Sequence, residues 1–165
     1  MDLRIVEGRA CVRIQGLVLE TRPTPGLQVL GGRSLPQSVG EVSVGATRAL
    51  CIGPSDWLLV SQQMNASELC AKLKAEIDGE FAIVDLSDGL ATIHVSGAAA
   101  RRLLSRGCGL DLHPQVFRAA QCARTRLADL AVVIDCLDEA GRFELHVSRS
   151  YAEYLYDWLT DASTA

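Results

Sequence analysis

Hydrophobic positions recur along the chain with two different periods, and these divide it into strands and helices. Ala10-Cys11-Val12-Arg13-Ile14-Gln15 alternates apolar with polar, the spacing of a half-buried strand. Segments 48–52 and 57–61 read as a β-hairpin, because Gly53-Pro54-Ser55-Asp56 between them is strong turn chemistry. Proline presets φ, and Ser and Asp bond their own backbone. Trp57 opens the return strand, where its ring can cover a core while its N–H reaches a partner. Further strands are predicted at 81–86, 90–95, 121–127, the almost continuously apolar 130–137, and the alternating 143–147.

The helical period appears three times. Asn65 stands at capping-box spacing from Glu68, and Ala66, Leu69, Cys70, Leu73 and Ile77 share one face before Gly79 ends the run. Ser96 is placed to cap a shorter helix through Ser105, with Ala99, Ala100, Leu103 and Leu104 as its apolar stripe and Gly107 and Gly109 as its stop. Ser150-Tyr151-Ala152-Glu153 forms another capping box, followed by Tyr154, Leu155, Trp158 and Leu159 at helical spacing. Strand, turn, aromatic-led strand and capped helix run from Ala49 to Ile77 and again from Ala131 to Leu159, with Trp57 and Phe143 in equivalent places. The expected class is therefore α+β: an antiparallel or mixed sheet with helices on one face, built from ferredoxin-like hairpin–helix repeats.

The N-terminal third is different. Thr21-Arg22-Pro23-Thr24-Pro25-Gly26 excludes regular structure, and four more glycines interrupt the stretch from Leu27 to Gly45. A structureless stretch of that length inside a domain is unusual, and it is expected here as an extended arm laid against a partner chain. The 165 residues then form a single domain, with N-terminal strands and a Gly/Pro-rich arm at 1–46 and an α+β core at 47–161. A domain of that size buries roughly 70% of its unfolded surface.

Composition narrows the function classes. A net charge of −4 and a pI near 5.3 disfavour a nucleic-acid partner, which needs a clustered basic surface. No stretch approaches the roughly 20 apolar residues of a membrane span, and charges at Asp2, Arg4 and Glu7 break any signal-peptide core. A cytoplasmic protein is expected. None of the six cysteines forms a Cys-x-x-Cys pair or lies at ligand spacing from a histidine, so they read as buried small hydrophobes.

Candidate chemistry is sparse. His94 and His146 fall on the polar register of their strands, and His113 precedes Pro114 in a loop. A Cys-His nucleophile pair, for example Cys108 with His94 or His113, forms only if the fold assembles it. Asp85, Asp88, Asp111, Asp129 and Asp135 have the chemistry of a general base, but acids at turns and strand ends are far more often turn formers. No glycine-rich phosphate loop is present.

Several segments taken together resemble one family. Ala49-Leu50-Cys51-Ile52-Gly53-Pro54-Ser55-Asp56-Trp57-Leu58-Leu59 is similar to the Leu-Gly-Pro-Asp-Glu-Trp-Leu-Leu segment of the gamma subunits of heterotetrameric sarcosine oxidases. Asp85-Leu86-Ser87 with Val95-Ser96-Gly97, and Gly107-Cys108-Gly109-Leu110-Asp111-Leu112-His113-Pro114, resemble two further stretches. Cys122-Ala123-Arg124-Thr125 and Arg149-Ser150-Tyr151-Ala152-Glu153-Tyr154-Leu155 are similar to its later signatures, so the likeness is collinear over about 47–161.

The resemblance implies the aminomethyltransferase-like, folate-binding fold. It also implies a heterotetramer that demethylates sarcosine oxidatively to glycine, passing the one-carbon unit to tetrahydrofolate. In such a complex FAD, FMN and NAD belong to the alpha and beta subunits, folate chemistry to alpha, and zinc to delta. The gamma chain is a structural subunit, with no catalytic, cofactor-binding or metal-binding residue assigned to it. Aminomethyltransferases carry an Asn-x-x-Gly-Gly-x-x-Asp-Asp type loop into a strand. Here that entry is Arg126-Leu127-Ala128-Asp129-Leu130, the glycines are gone, and Asp129 is assigned no catalysis. The alternative is an independent folate-binding or aminomethyltransferase-like protein.

Overall fold

The computed structural model describes residues 1–16 and 27–164. The proline-rich turn expected at 21–26 lies outside the described residues. In chain order the strands are β1 (Asp2–Val6), β2 (Ala10–Gly16), β3 (Val42–Ser43), β4 (Thr47–Gly53) and β5 (Asp56–Ser61), followed by helix α1 (Ala66–Glu76). Then come β6 (Phe81–Asp85), β7 (Leu90–Ser96), α2 (Ala100–Ser105), β8 (Gln121–Leu127), β9 (Leu130–Cys136), β10 (Phe143–Ser148) and α3 (Ala152–Thr164). They form two compact units, cut at 7/8 and 88/89. Each contains its own five-stranded sheet, and every strand pairing is antiparallel. The α+β class stands, with two sheets where the pattern pointed to one.

In the unit Gly8–Asp88 the strand order is β3-β4-β5-β2-β6. Period-two alternation turns Val12, Ile14, Ala49, Cys51, Trp57 and Leu59 to one face, where Leu69 and Leu73 of α1 cover them. The hairpin turn is Pro54-Ser55, with Ser55 in the left-handed region at φ 51. Asn65 caps α1 as its spacing predicts: its side-chain oxygen accepts from the Glu68 N–H at 2.9 Å. The segment expected as an arm against a partner instead enters this unit's own core. Leu27, Val29, Leu30 and Leu35 are buried there, and the Trp57 indole donates to the Pro36 carbonyl at 2.8 Å. Burying an aliphatic side chain is worth about 1.5–3 kcal/mol, enough for four of them to hold a glycine-rich stretch down.

The other unit joins Met1–Glu7 to Gly89–Ala165, with strand order β1-β7-β10-β9-β8. Ile93, Val95, Ile134, Phe143, Leu145 and Val147 form the apolar face, covered by Leu103 and Leu104 of α2 and Leu155 and Leu159 of α3. Ser96 does not cap α2, because it is the last residue of β7 and pairs with Asp2. Gly97 turns the chain at φ 116, and α2 starts at Ala100 behind an Ala99 that makes no capping bond. Ser150 is likewise not the cap of a long helix. A 3-10 turn, Arg149–Tyr151, precedes α3, and the Ser150 hydroxyl lies 3.1 Å from that of Ser148.

The echo seen in the sequence is a real correspondence. Hairpin β4–β5 with α1 lies in one unit, hairpin β9–β10 with α3 in the other. The two sheets follow one plan, in which β7 stands where β2 does and β1 where β6 does.

Candidate functional site

The densest polar constellation lies on the second face of the sheet β1-β7-β10-β9-β8. Alternation that sends Ile93, Leu145 and Ile134 to the core sends Thr92, His94, Glu144, His146 and Asp135 the other way. Register aligns them in two rows. Arg4, His94, Glu144, Asp135 and Cys122 are successive cross-strand partners, as are Val6, Thr92, His146, Val133 and Arg124. Residues directly opposite on neighbouring strands bring their side chains within about 5 Å. His94 is 8% exposed, Glu144 3% and Asp135 0%. Thr92 Oγ1 and His146 Nδ1 are 3.0 Å apart, and His94 Nε2 lies 4.0 Å from Asp2 Oδ2.

Two carboxylates and two imidazoles in such rows have the chemistry of acid–base catalysis. What they lack on this face is exposure: these are sheet-interior groups, and a reaction needs substrate at them. The cleft lined by Ala99, Arg102, Leu103, Arg106 and Ser163 holds about 30 Å³, far below the ~300–1,000 Å³ of small-molecule sites. The polar register of His94 and His146 is legible in the sequence; their burial is not. A usable signal is Val133 and Cys122 on the same rows, since apolar residues on a nominally polar face mark it as covered.

The other sequence candidates are kept apart. Cys108 belongs to the apolar face, its sulfur 3.8 Å from Thr125 Oγ1, so the sheet itself separates it from His94. His113 sits in an exposed turn, where Asp111 Oδ1 accepts its backbone N–H at 2.9 Å. Asp85 Oδ1 accepts from the Ser87 N–H at 2.9 Å, a turn-forming role. Asp129 is the second residue of a two-residue hairpin, Ala128-Asp129, at φ 49 and 65, a type I′ geometry. Its side chain is 97% exposed beside Arg126, so the shortened loop makes Asp129 a turn residue.

Two half-buried guanidinium anchors tie strands and loops together, one in each unit. Arg13 forms a bidentate pair with Asp56, at 2.8 and 2.7 Å, and the bond to Asp56 raises the arginine pKa against the opposing effect of burial. Arg101 donates to the carbonyls of Leu112 and Phe117 at 2.7 and 2.8 Å and lies 5.1 Å above the Phe143 ring. It thereby holds the 106–120 connection onto the sheet. Burial pushes the Cys136 thiol up, although nearby Arg101 pulls the other way. All six cysteines are free, and among the described residues no three of His, Cys, Asp and Glu are placed to hold a metal ion. Among the described residues no helix is long and apolar enough to cross a membrane.

Comparison with known proteins gives this scaffold a family. The model described as "Sarcosine oxidase, gamma subunit family" matches residues 25–165. Sarcosine oxidase subunit gamma from an Arthrobacter species is 34% identical over 136 residues, covering 81% of this chain and 66% of that protein. The subunit from Corynebacterium sp. strain P-1 is 34% identical over 134 residues, covering 79% and 64%. The chain thus spans just under two thirds of the length of these two relatives. A chain of the heterotetrameric sarcosine oxidase from Corynebacterium sp. U-96, solved with pyrrole 2-carboxylate, superposes with a TM-score of 0.84 at 27% identity, over 98% of this chain and 83% of that one. The glycine cleavage system aminomethyltransferase T from Bartonella henselae shares the fold alone, at TM-score 0.63 and 14% identity, over 95% of this chain and 44% of that one. Matched in sequence and in fold along most of its length, the chain belongs to the sarcosine oxidase gamma subunit family.

Proposed function

We propose that this chain is the gamma subunit of a heterotetrameric sarcosine oxidase and acts within it as a structural, assembly-directing subunit. The complex demethylates sarcosine oxidatively to glycine and passes the one-carbon unit to tetrahydrofolate. Alpha, beta and delta subunits complete it, and FAD, FMN, NAD, tetrahydrofolate and zinc reside on those partners. The reaction then happens elsewhere, and this chain contributes shape and contact in a cytoplasmic assembly. The observation that carries the reading is the superposition on a chain of the Corynebacterium heterotetramer over nearly the whole of this molecule. The polar rows on the β7–β10–β9 face fit it, because buried cross-strand acids and histidines specify a sheet rather than receive a substrate.

The test is reconstitution. Co-expressed with its companion subunits, the chain is expected to co-purify at fixed stoichiometry and to be required for stable sarcosine-dependent peroxide formation. Alone, it is expected to turn over no sarcosine and to give no heat on titration with tetrahydrofolate. Micromolar tetrahydrofolate binding by the isolated chain, with failure to co-purify, overturns the proposal in favour of an independent folate-binding protein.

A further inference from the structure

Helix α3 has a second face that its own sheet leaves open. Ala152, Leu155 and Leu159 turn inward, while Tyr151 and Tyr154 are 52% and 55% exposed. At about 100° per residue, Tyr154 and the partly buried Trp158 fall within about 40° of one another around the helix, and Tyr151 stands in the 3-10 turn that leads into it. Asp157 and Asp161, both exposed, continue that stripe, and exposed Glu153 lies beyond them. Tyrosine and tryptophan are enriched at the centres of protein interfaces, where a rigid ring loses little entropy on burial.

The charges on this face say what kind of partner it suits. Glu153, Asp157 and Asp161 repeat at i, i+4 and i+8, and no lysine or arginine occurs within Ala152–Thr164. Like charges at that spacing repel, and an acid in the last turn opposes the helix dipole. The exposed side of α1 is built differently, with Glu68 and Lys72 paired at 3.0 Å. Arg106 reaches α3 but donates to the Ala162 carbonyl at 2.6 Å rather than to one of the acids. An arrangement unfavourable in the isolated chain becomes favourable against a cationic surface.

We infer that Tyr154, Asp157 and Asp161 on the open face of α3, with Tyr151 of the turn before it, dock an arginine-bearing segment of a companion subunit. Arginine fits both halves of the surface: its plane stacks on a tyrosine ring, and its fork of donors engages a carboxylate. A second copy of this chain does not fit, because a two-fold contact through the same face sets acids against acids. The inference rests on the subunit reading above.

The experiment is an affinity measurement on the co-expressed complex at low and high salt, with folding of each variant checked by circular dichroism. Tyr151→Ala/Tyr154→Ala and Asp157→Lys/Asp161→Lys are each expected to weaken assembly about tenfold or more. Asp157→Asn/Asp161→Asn keeps the side-chain shape and is expected to remove much of the salt dependence. Val116→Lys, an exposed substitution on the 106–120 connection, is expected to assemble as wild type. Wild-type assembly with folded α3 variants that bind within about twofold of it and keep its salt response overturns the inference alone. Self-association of the chain through this face overturns the choice of partner. Wild-type chain that never joins the companions overturns both this inference and the proposed function.

Discussion

Asp138 shows how one turn residue gives the fold a pH response. It precedes the Glu139-Ala140-Gly141-Arg142 turn between β9 and β10, and its Oδ1 accepts the Arg142 backbone N–H at 3.1 Å while Oδ2 receives the guanidinium. Burial pushes this carboxyl up, but the Arg142 side-chain and backbone bonds, the guanidinium charge and the Ala140 N–H together hold it below its ordinary value of 3.8. A carboxylate whose folded pKa is depressed binds fewer protons in the native state than in the unfolded one. Its contribution is therefore complete above the ordinary value and lost as pH falls through the folded one. Both side chains are partly exposed, so the contribution is about 1 kcal/mol or less. Asp138→Asn is expected to destabilise by that amount near neutral pH, with the difference from wild type vanishing as the pH falls below 3.8. Urea unfolding across the acid range measures it, and a difference that does not change with pH would count against the assignment. The turn is legible in the sequence because its residues are neighbours, and so is the turn at Ala128-Asp129.

Elements are legible where their signals are local and illegible where a distant strand decides. The β4–β5 hairpin and α1 follow from Pro54, Ser55 and Asn65, all within a few residues of the structure they fix. The start of α2 does not, because Ser96 is claimed by pairing with Asp2, some ninety positions away in the chain. The burial of the polar rows is hard to read for the same reason, since alternation reports a face but not what covers it. Gly107 is an instructive case between the two. A glycine stop for α2 was expected there, yet its backbone does not take the left-handed conformation such a stop uses. Its smallness has another use: an added Cβ would stand 2.5 Å from Trp158 Cη2 and 2.7 Å from Cζ2, inside the α2–α3 contact. Gly107→Ala forces the indole or the backbone to move, and a loss of about 1–3 kcal/mol is expected. Gly109→Ala, whose Cβ meets nothing within 4 Å, serves as the control and is expected to stay within about 0.5 kcal/mol of wild type. Equal losses at the two positions would show that Trp158 is not what makes Gly107 necessary.

At the scale of the molecule, the two sheets share one strand plan but complete it differently. In the unit Gly8–Asp88, β6 directly follows α1 and fills the position beside β2. In the other unit the equivalent position beside β7 is taken by β1, which precedes β7 in sequence rather than following α3. The hydroxyl of Tyr156 on α3 reaches the Leu3 carbonyl at 3.4 Å, and Leu3 packs on the core that α3 covers. The N-terminal strand is thus a structural part of the C-terminal half, a relation that a linear division at 46/47 does not express. Removing residues 1–7 leaves β7 as an open edge, with one row of its N–H and C=O groups unpaired. Hydrogen exchange is expected to accelerate first over Leu90–Ser96, with the β8–β9 hairpin, which β1 does not touch, remaining protected. A synthetic peptide of residues 1–7 added in trans is expected to restore part of that protection, because the vacated edge offers it the same register. If exchange over Leu90–Ser96 is unchanged by the truncation, β1 is an ornament on a sheet already complete without it, and the shared plan of the two units loses its physical meaning.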